Sequence, residues 1–339
     1  MKKIISILLL VLMVLSLNSC NINGTVDPGH SSSSEEFDIA DTKQIVLGNK
    51  VDSVVIKIGT DEEITFDNTA DFYEVLANVG ALLENGKKYS YVAETQLEDQ
   101  NRFYSNANIY YFDNGALVES RIKKEGSDDV AVVDEYSFSK QVGDRMVMDS
   151  FARYIYKADK AFGGMVYGEN GYESYYSDSF PLIPAQGSEL GGMEVESKRS
   201  TNILFSTRFF IKNKPFEANG KTYDFDQFVT REYELYENYI VFKQTSPFLI
   251  MDIAPGQDPE LIYARVENSN CSITQEAYYN VKTGEFELIK LYGNTLWSAY
   301  SYTGKSIQIN MQIYIHDIKQ SEFEQKTDYL FDYVTSNVN

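Results

Sequence analysis

Carboxylates recur two residues apart in this chain, among them Asp224 with Asp226, Glu232 with Glu234, and Glu285 with Glu287. On an extended strand that spacing puts both acids on one face, about 7 Å apart. Inverting glycoside hydrolysis needs a separation of that order, with a water seated between acid and base. The alternating residues argue for something plainer. Tyr223, Phe225, Tyr233, Leu235, Phe286 and Leu288 interleave with the acids, the pattern of strands buried on one face and wet on the other. The acids are assigned to the wet face.

His316 is the sole histidine beyond the N-terminal segment, the other of the two being His30. Any Ser-His-Asp arrangement or histidine-rich metal site would have to use it. Its neighbour Asp317 falls on the opposite face of a strand, and no G-x-S-x-G turn is present. H-E-x-x-H, paired C-x-x-C, Walker, dinucleotide-binding and complete EF-hand patterns are also missing. Hydrolytic, redox and nucleotide-dependent chemistry is disfavoured, so no catalytic residue, metal or cofactor is assigned. Cys271 lacks an evident base in the sequence and is assigned as a structural thiol.

Aromatic residues are the remaining excess, with 26 Tyr, 20 Phe and one Trp. Tyr167, Tyr172, Tyr175 and Tyr176 lie among the glycines of residues 163–200, and Tyr292, Trp297 and Tyr300 flank Gly293-Asn294. Such rings can stack on sugar faces or line an apolar cleft. These seven are the candidate ligand-binding residues, although cross-strand packing also enriches aromatics.

The elements that must position these residues follow from periodicity. Strands are expected at Ser53 to Ile58, Glu63 to Phe66, Lys88 to Glu94, Asn108 to Phe112, Ala116 to Lys123 and Val130 to Phe138. A hairpin is expected at Asp113-Asn114-Gly115, because Asn-Gly tolerates positive φ. Phe72, Val75, Leu76, Val79, Leu82 and Leu83 share a helical face and predict a helix over 69–84, capped at Asn68 or Thr69 and stopped at Asn85-Gly86. A second helix is predicted over 149–162 from Phe151, Tyr154, Ile155 and Ala158, and residues 163–200 read as an irregular loop. Further strands are expected at Thr201 to Ile211, Thr230 to Tyr236, Tyr239 to Thr245, Leu261 to Glu267, Ile273 to Val281 and Glu285 to Tyr292. The alternation of Ile307, Ile309, Met311, Ile313 and Ile315 with polar residues predicts the last strand. Ser321 with Glu324 reads as a capping box opening a terminal helix through Val334.

The N-terminus decides which solvent this body meets. Lys2 and Lys3 precede Ile4 to Leu17, an apolar run too short to span a bilayer comfortably and suited to a secretory signal. Leu17-Asn18-Ser19-Cys20 resembles the lipobox of bacterial lipoproteins, with Asn18 departing from the usual small residue. The resemblance implies cleavage after Ser19 and lipidation of Cys20. Residues 21–37 are rich in Gly, Ser, Pro and Glu and read as a flexible tether. The rest, 38–339, is expected to be a β-rich globular domain, with a possible split into 38–162 and 201–339 around the loop.

Without residues 1–19 the chain carries 28 basic (30 minus Lys2 and Lys3) and 50 acidic residues, a net charge of about −22. That disfavours nucleic acid and anionic lipid surfaces, which are bound through Lys and Arg. With Cys20 lipidated, Cys271 has no cysteine left to pair with. The core alone must hold the fold, and about 300 residues suffice.

The order of helix, strands, helix with loop, then strands resembles the periplasmic lipoprotein carrier family (LolA-like): a curved antiparallel sheet, open like half a barrel, with helices on its concave side. That resemblance implies an apolar cavity for acyl chains, with helices 69–84 and 149–162 as a lid. The terminal helix is extra. The expected fold is therefore α+β and mainly antiparallel, a curved open sheet with two or three helices packed on one face. The expected protein is a lipid-anchored, extracytoplasmic, monomeric lipoprotein that binds a lipid or other amphiphile without catalysis. The alternatives are a glycan-binding or carboxylate-dependent glycan-hydrolysing surface protein and a structural envelope protein.

Overall fold

The computed structural model describes residues 37–58, 62–79, 86–97, 102–112, 115–126, 130–142, 145–156, 159–168, 171–176, 210, 212, 215–248, 258–296, 306–326 and 328. Cys20, the signal segment, most of the tether and residues 80–84 of the first predicted helix lie outside them.

The chain enters through an extended segment, 37–50, and forms a separate hairpin of β1 (Ser53–Ile58) and β2 (Glu62–Asp67). Helix α1 (Phe72–Asn78) follows. Its cap is Asp71 rather than Asn68 or Thr69: the Asp71 carboxylate accepts from the backbone N–H groups of Tyr73 and Glu74 at 2.9 and 3.2 Å. An N-cap of this kind contributes about 1 kcal/mol.

Strands β3 (Lys87–Leu97), β4 (Arg102–Phe112), β5 (Gly115–Lys124), β6 (Val130–Val142), β7 (Arg145–Tyr156), β8 (Asp159–Gly168) and β9 (Gly171–Tyr176) run as an antiparallel meander. A small hairpin, β10 (Phe216–Ala218) and β11 (Lys221–Tyr223), turns at Asn219 and Gly220 with φ of 54° and 73°. Those positive values at both turn positions are what Asn-Gly accepts most readily. A second meander comprises β12 (Thr230–Leu235), β13 (Tyr239–Ser246), β14 (Ser272–Asn280), β15 (Glu285–Leu296) and β16 (Ser306–Asp317). Between β13 and β14 lies α2 (Pro259–Glu267).

The two meanders are one sheet. β16 pairs antiparallel with β3, Ile313 opposite Tyr91, giving the strand order β12-β13-β14-β15-β16-β3-β4-β5-β6-β7-β8-β9. The sheet is curved and open, with β12 and β9 at its edges.

Three sequence expectations need correction. Residues 149–162 are not a helix but the β7–β8 hairpin, in which Tyr156 pairs with Asp159. The i, i+3, i+4 spacing of Phe151, Tyr154 and Ile155 fits either element. Cross-strand partners on both sides, β6 and β8, decide it. The supposed loop begins as strand: Gly163 and Gly164 sit inside β8, and β9 runs to Tyr176, while 177–200 lie outside the described residues. Leu261 to Glu267 is helical, because Asp258 caps the segment and Pro259 starts it with a fixed φ.

Two more differ in detail. The terminal helix starts at residue 320, one before the supposed capping serine, and the backbone N–H of Phe323 donates to the Lys319 carbonyl. Of the predicted strand Thr201 to Ile211, only Phe210 is described, and it is not in a strand.

The main core covers one face of seven neighbouring strands. Leu235, Ile240, Phe242, Ala277, Tyr279, Ile289, Leu291, Met311, Ile313, Tyr89, Tyr91, Ala107 and Ile109 share it, and Ile56, Phe66, Phe72 and Val75 pack onto it. The Phe72 ring meets Phe242 edge-on with centroids 5.7 Å apart. Residues 37–50 strap the other face, where Ile45 and Leu47 cover Tyr239, Val241, Tyr278 and Leu288. The terminal helix is also on that face. Lys326 pairs with Glu119 at 2.9 Å and stands 4.8 Å over the Tyr110 ring. No helix among the described residues is long and apolar enough to cross a membrane.

Candidate functional site

The three carboxylate pairs each resolve into structural contacts. Glu232 meets Lys243 at 3.0 Å; Glu234 meets Lys50 at 2.7 Å and accepts from the Tyr236 hydroxyl. Glu285 lies 3.0 Å from Lys87, and Glu287 3.8 Å from Lys43 while accepting from the Tyr239 hydroxyl at 2.6 Å. The third pair is not on a strand. Asp224 follows β11 and accepts from the Asp226 backbone N–H at 3.0 Å, while Asp226 opens a 3-10 turn over Asp226–Phe228.

His316 is tied to the strap. Its Nε2 lies 2.9 Å from the Asp41 carbonyl oxygen, Asp41 also pairs with Lys88, and Lys43 donates to the Ile315 carbonyl at 2.9 Å. Burial holds the imidazole below its ordinary pKa, with Lys43 and Lys88 adding to the effect. Cys271 is half-buried and unbridged. Among the described residues, no three His, Cys, Asp or Glu side chains gather into a set that could hold a metal.

The candidate aromatics do not form one site. Tyr292 is on β15, 38% exposed, and donates to the Glu276 carboxylate at 2.8 Å; burial and that carboxylate push its phenol up to about 12. Tyr278 donates to the other Glu276 oxygen at 2.6 Å, with Lys290 4.9 Å over its ring. Tyr167 pairs with Tyr172, and Tyr175 and Tyr176 oppose Gly164 and Gly163, all on β8 and β9. Those strands lie seven and eight places along the sheet from β15, roughly 35 Å at about 4.8 Å per strand. Trp297 and Tyr300 lie outside the described residues.

Asp226, which the alternation assigns to the wet face, belongs instead to a buried polar group on the core face. Asp226 holds Arg231 through two hydrogen bonds, Nη2 to Oδ1 at 2.8 Å and Nη1 to Oδ2 at 3.0 Å. Their side chains are 15% and 8% exposed. Arg231 Nε donates to Gln244 Oε1 at 2.8 Å, and Gln244 Nε2 donates to Gln275 Oε1 at 3.1 Å. The Arg231 guanidinium also lies 5.5 Å from the Tyr73 ring centroid, and burial raises the pKa of that phenol.

The signal for this group was present as an interruption. Ile240 and Phe242 on β13, and Ile273, Ala277 and Tyr279 on β14, occupy core-facing positions, and Gln244 and Gln275 fall in the same phase. A polar residue in core phase, repeated on the neighbouring strand directly opposite, marks a buried polar pair.

No protein-family model and no curated protein sequence matches the chain. A crystal structure of a β-barrel-like protein with a domain of unknown function, from Brucella abortus, aligns with 70% of this chain and 100% of its own at 9% identity and a TM-score of 0.24. A de novo designed transmembrane β-barrel aligns with 69% of this chain and 98% of its own at 7% identity and a TM-score of 0.18. Likenesses at these TM-scores specify neither fold nor function.

Proposed function

We propose that this is an extracytoplasmic lipoprotein, moored by acyl chains on Cys20, whose open sheet binds a lipid or other amphiphile noncovalently. One observation carries the proposal: an apolar face spans seven neighbouring strands of an open sheet, β12 to β4, with polar groups at Arg231, Gln244 and Gln275, and the β1–β2 hairpin and α1 cover it as a lid that an entering amphiphile displaces. Apolar surface with a few placed polar groups is what an amphiphile requires. The lipobox-like Leu17 to Cys20 segment supports the mooring, as does the polar tether 21–37 that leads into the strap. A net charge of about −22 after cleavage leaves acyl chains, rather than attraction to anionic headgroups, to hold the protein at a membrane. The LolA-like resemblance implies the same ligand class.

The mooring is tested by metabolic labelling with a clickable fatty acid. Label enters the wild type and is absent from Cys20→Ser; label that survives the substitution removes the anchor. Binding is tested by titrating the purified protein with a fluorescent fatty-acid analogue and displacing it with unlabelled amphiphile. Absence of saturable binding contradicts the carrier role.

Tyr292 favours a second reading, glycan binding on the opposite face. Its half-exposed ring stands beside Glu276. Loss of oligosaccharide binding in Tyr292→Ala, with amphiphile binding unchanged, would support it.

A further inference from the structure

The β1–β2 hairpin and α1 form a unit whose two chain ends are fixed at one end of the large sheet. At its start the Val51 N–H donates to the Leu235 carbonyl at 3.0 Å, and past its finish the Gly86 N–H donates to the Tyr111 carbonyl at 2.9 Å. Register puts Glu234, Val241, Tyr278, Leu288, Tyr314 and Ser90 in one row across the sheet. Leu235, which closes β12, and Lys87, which opens β3, both lie beyond that row on the same side. β1 and β2 pair with each other as a sheet of their own. The unit therefore covers the apolar face while its chain is attached along one margin.

Away from that margin, one side chain on edge strand β12 holds the cover down. Tyr233 is two residues back from Leu235, and its hydroxyl donates toward the carbonyl oxygens of Asp67 and Ala70, at 2.7 and 2.8 Å. Those carbonyls belong to one fixed turn, in which the Asp67 carboxylate accepts from the Thr69 N–H and hydroxyl at 2.8 and 2.6 Å. Two residues further back on β12, the Arg231 guanidinium stands 5.5 Å from the centroid of the Tyr73 ring, on the first turn of α1. Ile56, Phe66, Phe72 and Val75 supply the apolar contact with the sheet. In water that contact favours the closed position, but an apolar tail laid between cover and sheet would keep both surfaces dry. Once detached, the unit is a lone hairpin and a helix of seven residues, each marginal by itself. Opening therefore frays its amides without unfolding the sheet.

We propose that β1, β2 and α1 are a lid hinged at the Leu235 and Gly86 end of the sheet, and that the Tyr233 hydroxyl is the clasp that sets how often it opens. This rests on the amphiphile reading above and assigns the device that admits the tail, at the β12 edge where the clasp lets go.

The test is hydrogen exchange of the full-length protein, read by mass spectrometry in low urea. Amides of β1, β2 and α1 should exchange through an opening with a shallower urea dependence than those of β13 to β16. Tyr233→Phe keeps the ring and its contact with Phe242, centroids 6.4 Å apart, and removes only the hydroxyl. It should speed lid exchange by about fivefold, the effect of one hydrogen bond. Gly293→Ala, which strains β14–β15 whether the lid is open or closed, should leave lid exchange unchanged. Lid amides that share the sheet's urea dependence, or lid exchange unaltered in Tyr233→Phe, overturn the proposal. Dansyl-labelled undecanoic acid should bind Tyr233→Phe about fivefold more tightly, because affinity scales with the open fraction. Faster lid exchange with unchanged affinity overturns the lid's part in binding. If the probe binds neither protein, the amphiphile reading fails, while the exchange rates still decide the hinge and clasp.

Discussion

Asp226→Ala probes the buried polar chain at its root. It removes one half of an ion pair whose side chains are 15% and 8% exposed and which meets at 2.8 and 3.0 Å. Arg231 keeps its charge, with Gln244 and the face of the Tyr73 ring among its remaining contacts. Breaking a buried pair by deleting one partner costs about 3–5 kcal/mol, whereas exposed pairs contribute at most about 1 kcal/mol. The slight exposure of Asp226 puts the expected loss near the lower bound, about 3 kcal/mol. Removing both charges, with Asp226→Ala and Arg231→Met together, should recover at least about 1 kcal/mol of that loss. Urea titration followed by circular dichroism reads this as a midpoint falling by roughly 1 M for a slope of about 3 kcal/mol/M. A loss under about 1 kcal/mol, or a double variant no more stable than the single, would show that the pair is not desolvated and that Arg231 does not orient Gln244.

Three further perturbations follow. Gly293 has φ of +119°, and a Cβ there would lie 2.3 Å from the Ser272 carbonyl oxygen, so Gly293→Ala should lower the melting temperature through at least about 2 kcal/mol of strain in the β14–β15 pairing. His316 has a folded pKa below its unfolded value, so its contribution is present above the unfolded pKa of about 6.5 and is lost as pH falls below it. Melts at pH 7.5 and 5 should therefore differ less for His316→Gln than for wild type, and equal differences contradict the buried neutral imidazole. Phe242→Ala removes a fully buried ring that meets Phe72 and Phe286, and should destabilise by about 3–5 kcal/mol in the same urea titration.

The strands were the legible part of this chain. The alternation of Ile309, Met311, Ile313 and Ile315 places β16 to within a residue or two, and Phe112 pairing with Gly115 is the hairpin that Asn114-Gly115 announces. Local pattern failed where a second physical term outweighed it. Phe151, Tyr154 and Ile155 match a helical stripe, yet β6 and β8 claim their backbone as strand, and nothing within 149–162 tells of those distant partners. At α2 the decisive signal was local, Asp258-Pro259, and outranked the apolar run behind it. The buried polar chain was half legible: Gln244 and Gln275 break the core phase of their strands, but only the β13–β14 register puts them opposite one another. Arg231 and Asp226 sit among ordinary surface-pattern residues in sequence, and only the fold brings them together. Of the tyrosine candidates, Tyr167, Tyr172, Tyr175 and Tyr176 lie on β8 and β9, far along the sheet from Tyr292 on β15, a separation set by strand order and not written in any local pattern.

Native mass spectrometry of the gently extracted, full-length protein tests the amphiphile role most directly. A noncovalent adduct with the mass of an acyl lipid, beyond the covalently attached anchor and lost on mild activation, is the predicted result. A spectrum holding only the anchored chain, with no adduct regained after incubation with monoacylglycerol, would contradict it.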